Sequence, residues 1–198
     1  MNERLERAAV RKAEESARTK LEFFRAEAPR IAACAERLND AFTRGARLYT
    51  FGNGGSACDA EHLALEFMHP VIEKRVPLPA SALSTSAAFL SAVGNDQDFS
   101  FVFAEQLAQL ARPGDVALGI STSGKSASVL RGLSAARERQ CLTIGFSGRD
   151  GGRMVEACDF CFTVPSFSIH RIQEIHETLI HVLWDLVHVA RGAEDVVG

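Results

Sequence analysis

The sequence predicts an α/β fold: a parallel sheet with helices on both faces. Three observations predict it. From about residue 46 onward, short apolar runs alternate with segments of helical length. Such alternation marks parallel strands joined by crossover helices. Each run is bounded by Gly, Pro, Asp or Ser, the residues that end strands and open turns. Apolar residues make up 46% of the 198, enough for a core between layers and far from a disordered composition.

Taken in order, residues 3 to about 44 read as helix, with apolar residues at helical spacing and mixed charge throughout. Pro29 predicts a break there into two helices. Leu21, Phe23, Phe24, Ile31, Leu38 and Phe42 give this arm an apolar face. That face has two possible destinations, the chain's own domain or another subunit. The predicted strands are "ARLYTF", "PASAL", "DVALGIS", "CLTIGF" and "DFCFTV". Helices are expected around 57–68, 86–93, 99–111, 125–139 and 150–157, and a long final one over about 169–191. No repeat, low-complexity segment or linker interrupts this part. The chain is therefore expected to divide into an arm, residues 1–44, and one domain, residues 45–192.

A net charge of −3 gives no case for a nucleic-acid or membrane surface. The charged opening "MNERLERAAVRKAEESARTK" carries no secretory pattern, and no apolar run approaches the roughly 20 residues of a membrane span. Five scattered cysteines fit reduced thiols in a cytoplasm better than a disulfide framework.

In an open parallel sheet, ligands sit beyond the carboxyl ends of the strands. Two loops at such ends stand out. "GNGGS", Gly52 to Ser56, follows "LYTF", and "STSGKS", Ser121 to Ser126, follows "DVALGI". Each opens a helix, where unpaired N–H groups and the positive dipole end favour a phosphate. Ordinary capping by Ser and Gly would explain either loop alone, but two in one sheet weigh toward a phosphate pocket. Neither is a Walker A motif, for "GKS" lacks the upstream glycine at the required spacing.

His62 and Glu66 lie one turn apart on the helix after the first loop. On the last helix, "RIQEIHETLIH" places Gln173 and His181 eight residues apart, within about 80° of one face. His, Glu, Gln and His from two helices could converge on one divalent cation, and imidazole with carboxylate suits Zn²⁺. Taken singly, each histidine is more simply a hydrogen-bonded surface or core residue. His69, His170, His176 and His188 are read that way. "CDFC", Cys158 to Cys161, looks like half a zinc knuckle. It falls in a predicted strand, where i and i+3 point to opposite faces, and no second CxxC exists, so both cysteines are read as packing. Trp184, among Leu179, Ile180, Leu183 and Leu186, reads as core or interface.

"FGNGGSACDAEHLALEF", "VGND", "GDVALGISTSGKSASVL" and "RIQEIHETLIH", in this order and spacing, resemble the phosphoheptose (sedoheptulose 7-phosphate) isomerases of the SIS domain superfamily. The likeness runs from the arm to about residue 187. It implies a flavodoxin-like three-layer α-β-α sandwich with a five-stranded parallel sheet, assembled as a homotetramer with sites between subunits. It implies that Asn53, Gly54, Gly55, Ser56, Asn95 and Asp96 contact a sugar phosphate, and that Ser121, Thr122, Ser123 and Ser126 hold its phosphate. His62, Glu66, Gln173 and His181 match zinc positions, Glu66 and Gln173 also meet substrate, and Glu66 and His181 match the acid–base pair. The implied reaction is D-sedoheptulose 7-phosphate to D-glycero-D-manno-heptose 7-phosphate.

Two departures from the family pattern bear on the sugar. An arginine commonly stands four residues after the glutamate, where this chain has Pro70; Lys74 and Arg75 are the candidates to replace its charge. An aspartate common before "RIQE" is His170 here. The rival readings are a non-enzymatic scaffold similar to the DnaA initiator-associating protein, and an isomerase or binder of another sugar phosphate. Retention of Glu66 and His181 speaks against the scaffold.

Overall fold

The computed structural model describes residues 2–71 and 75–195. Five parallel strands form one sheet: β1 (Leu48–Gly52), β2 (Ala80–Ala82), β3 (Val116–Ser121), β4 (Leu142–Gly148) and β5 (Phe160–Val164), in the order β2-β1-β3-β4-β5. This is the flavodoxin-like order, and its switch point lies between β1 and β3. All five expected strands are present.

Strand alternation divides the core. Leu48, Val116, Leu118, Ile120, Ile144, Phe146 and Phe162 face one side. There they meet α1 (Asn2–Thr43), α2 (Gly55–Met68) and α7 (Ile169–Ala190). Tyr49, Phe51, Ala117 and Cys161 face the other side with α4 (Val102–Leu110), α5 (Ala127–Glu138) and the short α6 (Met154–Ala157). Residues of α3 (Ala87–Asp96) pack beside α4. Sheet and helices thus form the expected three layers, with period-2 strands feeding two separate apolar clusters.

Two expectations are corrected. The helix does not break at Pro29, which sits inside an uninterrupted α1. An interior proline costs about 3 kcal/mol. Here Phe23 before it and Ile31, Cys34, Ala35 and Leu38 after it are all buried in one cluster, so the helix is held against the domain on both sides of the lost hydrogen bond. Earlier residues are less covered: Leu5, Val10 and Leu21 are exposed, although Arg171 Nη1 donates to Lys12 O at 2.6 Å. The arm's apolar face therefore packs on its own domain in the second half and remains open in parts of the first.

The second correction concerns "CDFC". Strand β5 begins only at Phe160, so the alternation that would point Cys158 and Cys161 apart does not span the pair. Both sulfurs lie on the α6 side, over Gly145 of β4.

Candidate active site

β1 and β3 are neighbours, so their carboxyl ends bring the two singled-out loops together. Asn53 joins them. Its Nδ2 donates to Ser126 Oγ and to Ser128 Oγ, each at 2.9 Å, and the two hydroxyls stand 3.3 Å apart. Ser126 occupies the N-cap position of α5, yet its side chain makes no cap bond. Its hydroxyl is spent on the other loop, so capping does not account for it. Ser121 Oγ lies 3.5 Å from Ser123 Oγ, which accepts from Lys125 N at 3.2 Å. Thr122 is half-buried beside them.

The hydroxyl loop is braced from below. Gly124 has φ +62°, and a Cβ there would stand 1.9 Å from Gly151 O. Only glycine fits both the left-handed backbone and the approach of the β4–α6 turn. The carbonyl of Gly124 then accepts from Arg153 N at 3.0 Å. In the first loop Gly54 stands at the N-cap of α2, followed by the exposed Gly55 and the buried Ser56.

Helices α2 and α7 pack side by side and run in the same direction. Gln173 meets Gly55, and His181 meets His62 two turns further along both helices. The Gln173 amide Nε2 lies 2.1 Å from where a Cβ on Gly55 would be, so that glycine leaves room for it. At the second meeting point His62 Nε2 is 3.1 Å from Glu66 Oε1 and 3.4 Å from His181 Nε2, with the imidazole rings edge to face. The donor atoms of His62, Glu66 and His181 all lie within 4.8 Å of one another. Three of the four expected ligands therefore converge within one chain, whereas Gln173 lies nearer the first loop.

Two residues that the sequence did not single out join this cluster. Glu177 Oε1 is 2.6 Å from His62 Nδ1. Asp59, one turn before His62, has its Oδ2 buried with no hydrogen-bond partner. Burial, then the nearby Glu177 charge, push the Asp59 carboxyl up to about 6, against the pull of His62. Ser128, also not singled out, belongs instead to the paired loops, where it accepts from Asn53. Helical spacing held the signal for the first two: Asp59, His62 and Glu66 form one stripe, and Gln173, Glu177 and His181 another.

The donor set fits a divalent metal. Two imidazoles and a carboxylate at one point suit Zn²⁺, and a cation there would also relieve the crowding of Asp59, Glu66 and Glu177. His62, Glu66 and His181 form a possible metal site.

Other expected residues are placed differently. Asn95 and Asp96 end α3 on the surface, where Asn95 Nδ2 donates to Asp96 Oδ1 at 2.7 Å. They do not reach the loops in the hydrogen bonds of a single chain. Arg75 does not replace the charge absent at Pro70. It is buried, pairs with Asp185 at 2.5 Å and stacks over Trp184. Lys74 lies outside the described residues, and His170 is exposed at the start of α7.

Similar proteins are known in both sequence and structure. The SIS domain family model matches residues 13–148. A phosphoheptose isomerase of Roseiflexus sp. (strain RS-1) is 48% identical over 161 residues, which are 81% of this chain and 82% of that protein. A solved phosphoheptose isomerase from Neisseria gonorrhoeae is 37% identical with a TM-score of 0.86, covering 92% of this chain and 98% of its own. One from Francisella tularensis is 32% identical with a TM-score of 0.88, covering 92% and 97%.

Proposed function

The chain belongs to the SIS domain family and, within it, to the phosphoheptose isomerases, and from that premise we propose how its residues share the work. The reaction is the exchange of D-sedoheptulose 7-phosphate and D-glycero-D-manno-heptose 7-phosphate, a ketose–aldose isomerisation in heptose biosynthesis. The scaffold reading falls with family membership, since the relatives are named as isomerases over most of their length.

Ser121, Thr122, Ser123 and Ser126 hold the phosphate, with Asn53 setting the Ser126 hydroxyl. Gly54, Gly55 and Ser56 line the path from the phosphate to the reacting end. Gln173 rests on Gly55, so we assign it to the substrate rather than to the metal. Glu66 takes a proton from C1 of the ketose and returns it to C2. His181 gives a proton to the C2 oxygen as the cis-enediol forms and accepts one from the C1 oxygen as it collapses. Each such group typically contributes about 10²–10⁴-fold. His62 fixes the Glu66 carboxylate through the contact at 3.1 Å. His62, Glu66 and His181 would hold one Zn²⁺ per chain, which when bound supplies a positive charge to polarise the carbonyl. Glu66 would be a ligand to that ion as well as the base, and a cation beside it would lower its proton affinity.

We further propose a cytoplasmic homotetramer, with the arm of residues 1–44 as its assembly element and residues 45–192 as the catalytic domain. Exposed Leu5, Val10 and Leu21 on the arm support this. So does an apolar groove of about 480 Å³ beside His62, lined also by Leu65, Met68, Ala80 and Ala82. Asn95 and Asp96 would then serve a site completed by a neighbouring subunit.

The observation that carries the reading is the convergence of His62, Glu66 and His181 in the same chain as the hydroxyl loop. The test is turnover of sedoheptulose 7-phosphate by Glu66→Gln, whose amide cannot take the proton. Nearly all activity should vanish while the fold is kept. Turnover close to wild type would remove Glu66 as the base.

A further inference from the structure

The "CDFC" segment plays no part in the isomerase chemistry, yet its geometry is specific. Between α6 and β5 the chain bends at Asp159. Asp159 Oδ2 accepts from Thr143 N at 2.8 Å and from Thr143 Oγ1 at 2.9 Å, and its own N–H donates to Thr143 O at 3.0 Å. This pinned bend turns Cys158 back over the sheet. Cys161 lies beside Gly145 in the β4–β5 register. A Cβ on Gly145 would stand 2.7 Å from Cys158 Sγ and 3.5 Å from Cys161 Sγ. The two sulfurs thus flank one point, in the space that a side chain at 145 would fill.

The surroundings favour chemistry between the two sulfurs over metal binding. Among the described residues no imidazole or carboxylate joins them to make a third ligand. Ser147 Oγ is 3.4 Å and Thr163 Oγ1 3.9 Å from Cys161 Sγ, while Arg30 Nη2 donates to Cys161 O at 3.0 Å. The neighbouring Cys158 thiol lowers the Cys161 thiol from its ordinary range, against burial and with help from Ser147, Thr163 and Arg30. The Cys161 neighbour, then burial, raises Cys158. Of the two sulfurs, Cys161 is therefore the one that ionises more readily. Cys161 is buried and Cys158 is half-buried, so small oxidants reach the pair from the Cys158 side.

We infer that Cys158 and Cys161 form a reversible dithiol–disulfide couple, oxidised by hydrogen peroxide or a peroxide of similar size. The Cys161 thiolate attacks one peroxide oxygen. An S–O bond forms, the O–O bond breaks, and the departing hydroxide takes a proton to become water. Cys158 sulfur then attacks the Cys161 sulfenic sulfur. The S–S bond forms, the S–O bond breaks, and the Cys158 proton leaves with the hydroxyl as a second water. Two thiols lose two electrons and one peroxide gains them. In a reducing compartment a couple of this kind is transient, which is the behaviour of a redox sensor rather than of a structural bridge.

The test uses the full chain with Cys58→Ser, because Cys58 is the exposed thiol and would compete for oxidant. The protein is treated with hydrogen peroxide, its remaining thiols are alkylated in denaturant, and tryptic peptides are weighed. Residues 154–171 form a single tryptic peptide that holds Cys158 and Cys161 and no other cysteine. The expected result is a loss of two titratable thiols per chain, with that peptide lighter by two hydrogens. Dithiothreitol should restore both. The mass change should be absent in Cys158→Ser and in Cys161→Ser. Three results would each overturn the inference: both thiols alkylated after oxidation, Cys161 carried to sulfinic acid beside a free Cys158, or a bridge from either cysteine to another part of the protein. The map is made on folded protein before any substitution at 158 or 161, so a misfolded serine variant does not decide the outcome.

Discussion

Asn53 is a donor to two serines and, on the proposed reading, a neighbour of the phosphate, and two substitutions separate these duties. Asn53→Ala removes both 2.9 Å hydrogen bonds. Each is worth about 0.5–1.5 kcal/mol net. The Ser126 and Ser128 hydroxyls keep each other at 3.3 Å, so neither is orphaned and the total should fall near about 1–2 kcal/mol. For a chain of this size 1 kcal/mol moves Tm by about 2–4 °C, so Tm should drop by roughly 2–8 °C. Asn53→Asp behaves differently. A carboxylate accepts where the amide donated, and both hydroxyls can turn to donate to it, so Tm should stay within about 2 °C. The new charge, however, faces the phosphate. At roughly 6 Å and an effective dielectric of about 20, a carboxylate and one phosphate charge repel by about 2.8 kcal/mol, about 100-fold in affinity. The hydroxyls turned toward Asp are also lost to the phosphate. Thermal unfolding with and without inorganic phosphate, beside steady-state kinetics on sedoheptulose 7-phosphate, reads both effects. The alanine variant should lose stability with a rise in KM of about tenfold or less; the aspartate variant should keep stability and lose affinity by about two orders of magnitude. A wild-type KM in Asn53→Asp, with the phosphate-induced rise in Tm intact, would refute a phosphate at this pair of loops.

Glu177→Gln should weaken zinc binding by about 10–100-fold, the usual range when a carboxylate orienting a metal-bound histidine is removed, and leave the Tm of metal-free protein near its original value. Competition against a chromophoric chelator measures it, and unchanged affinity would detach Glu177 from the site. Stability should also fall with acid through His176. That ring is fully buried, and burial, against the hydrogen bond to Ser147 O, lowers it from 6.5 to about 4. The unfolded chain takes up this proton first, so the contribution is complete above about 6.5 and is lost as pH falls toward about 4; the full shift corresponds to roughly 3 kcal/mol. Asp59 acts in the opposite sense: raised from 3.8 to about 6, it stabilises at low pH and loses that contribution as pH rises through its folded value. Urea midpoints at neutral and mildly acid pH should therefore fall more steeply in wild type than in His176→Gln, and parallel slopes would contradict the assignment.

The strands were legible because each is a short apolar run between breakers, and the sheet order then followed from parallel crossovers. What sequence could not weigh was compensation by packing. Pro29 is a sound local signal for a helix end, but Phe23 and Ile31 bury the helix on either side of it, and tertiary contact overrides the local cost. The same limit applies at Cys158. A two-residue period holds only inside a strand, and here the strand starts two residues later because Asp159 is spent on Thr143.

The site was legible where one helix carried two chemical groups one turn apart, as with His62 and Glu66. It was less legible where the information lay between helices. Gln173 and His181 share a face, and the sequence reading put both on one cation. Parallel packing of α2 and α7 assigns them different neighbours, Gly55 and His62. At about 1.5 Å of rise per residue, eight residues separate their backbones by about 12 Å along the helix. That span matches the task proposed for the site. A sugar phosphate has its charge at one end and its carbonyl at the other, and the stripe Gln173, Glu177, His181 runs from the loop side to the His62 cluster. Glu177 stands between them with its carboxylate on His62. The helix face therefore serves as a ruler for an extended substrate as well as a source of ligands, and a shorter sugar anchored by the same hydroxyl loop would fall short of Glu66 and His181. Turnover of ketose phosphates of decreasing length should fall mainly in kcat, because the phosphate anchor is common to all of them; equal kcat for a five-carbon and a seven-carbon substrate would show that the distance between loop and cluster does not select the sugar.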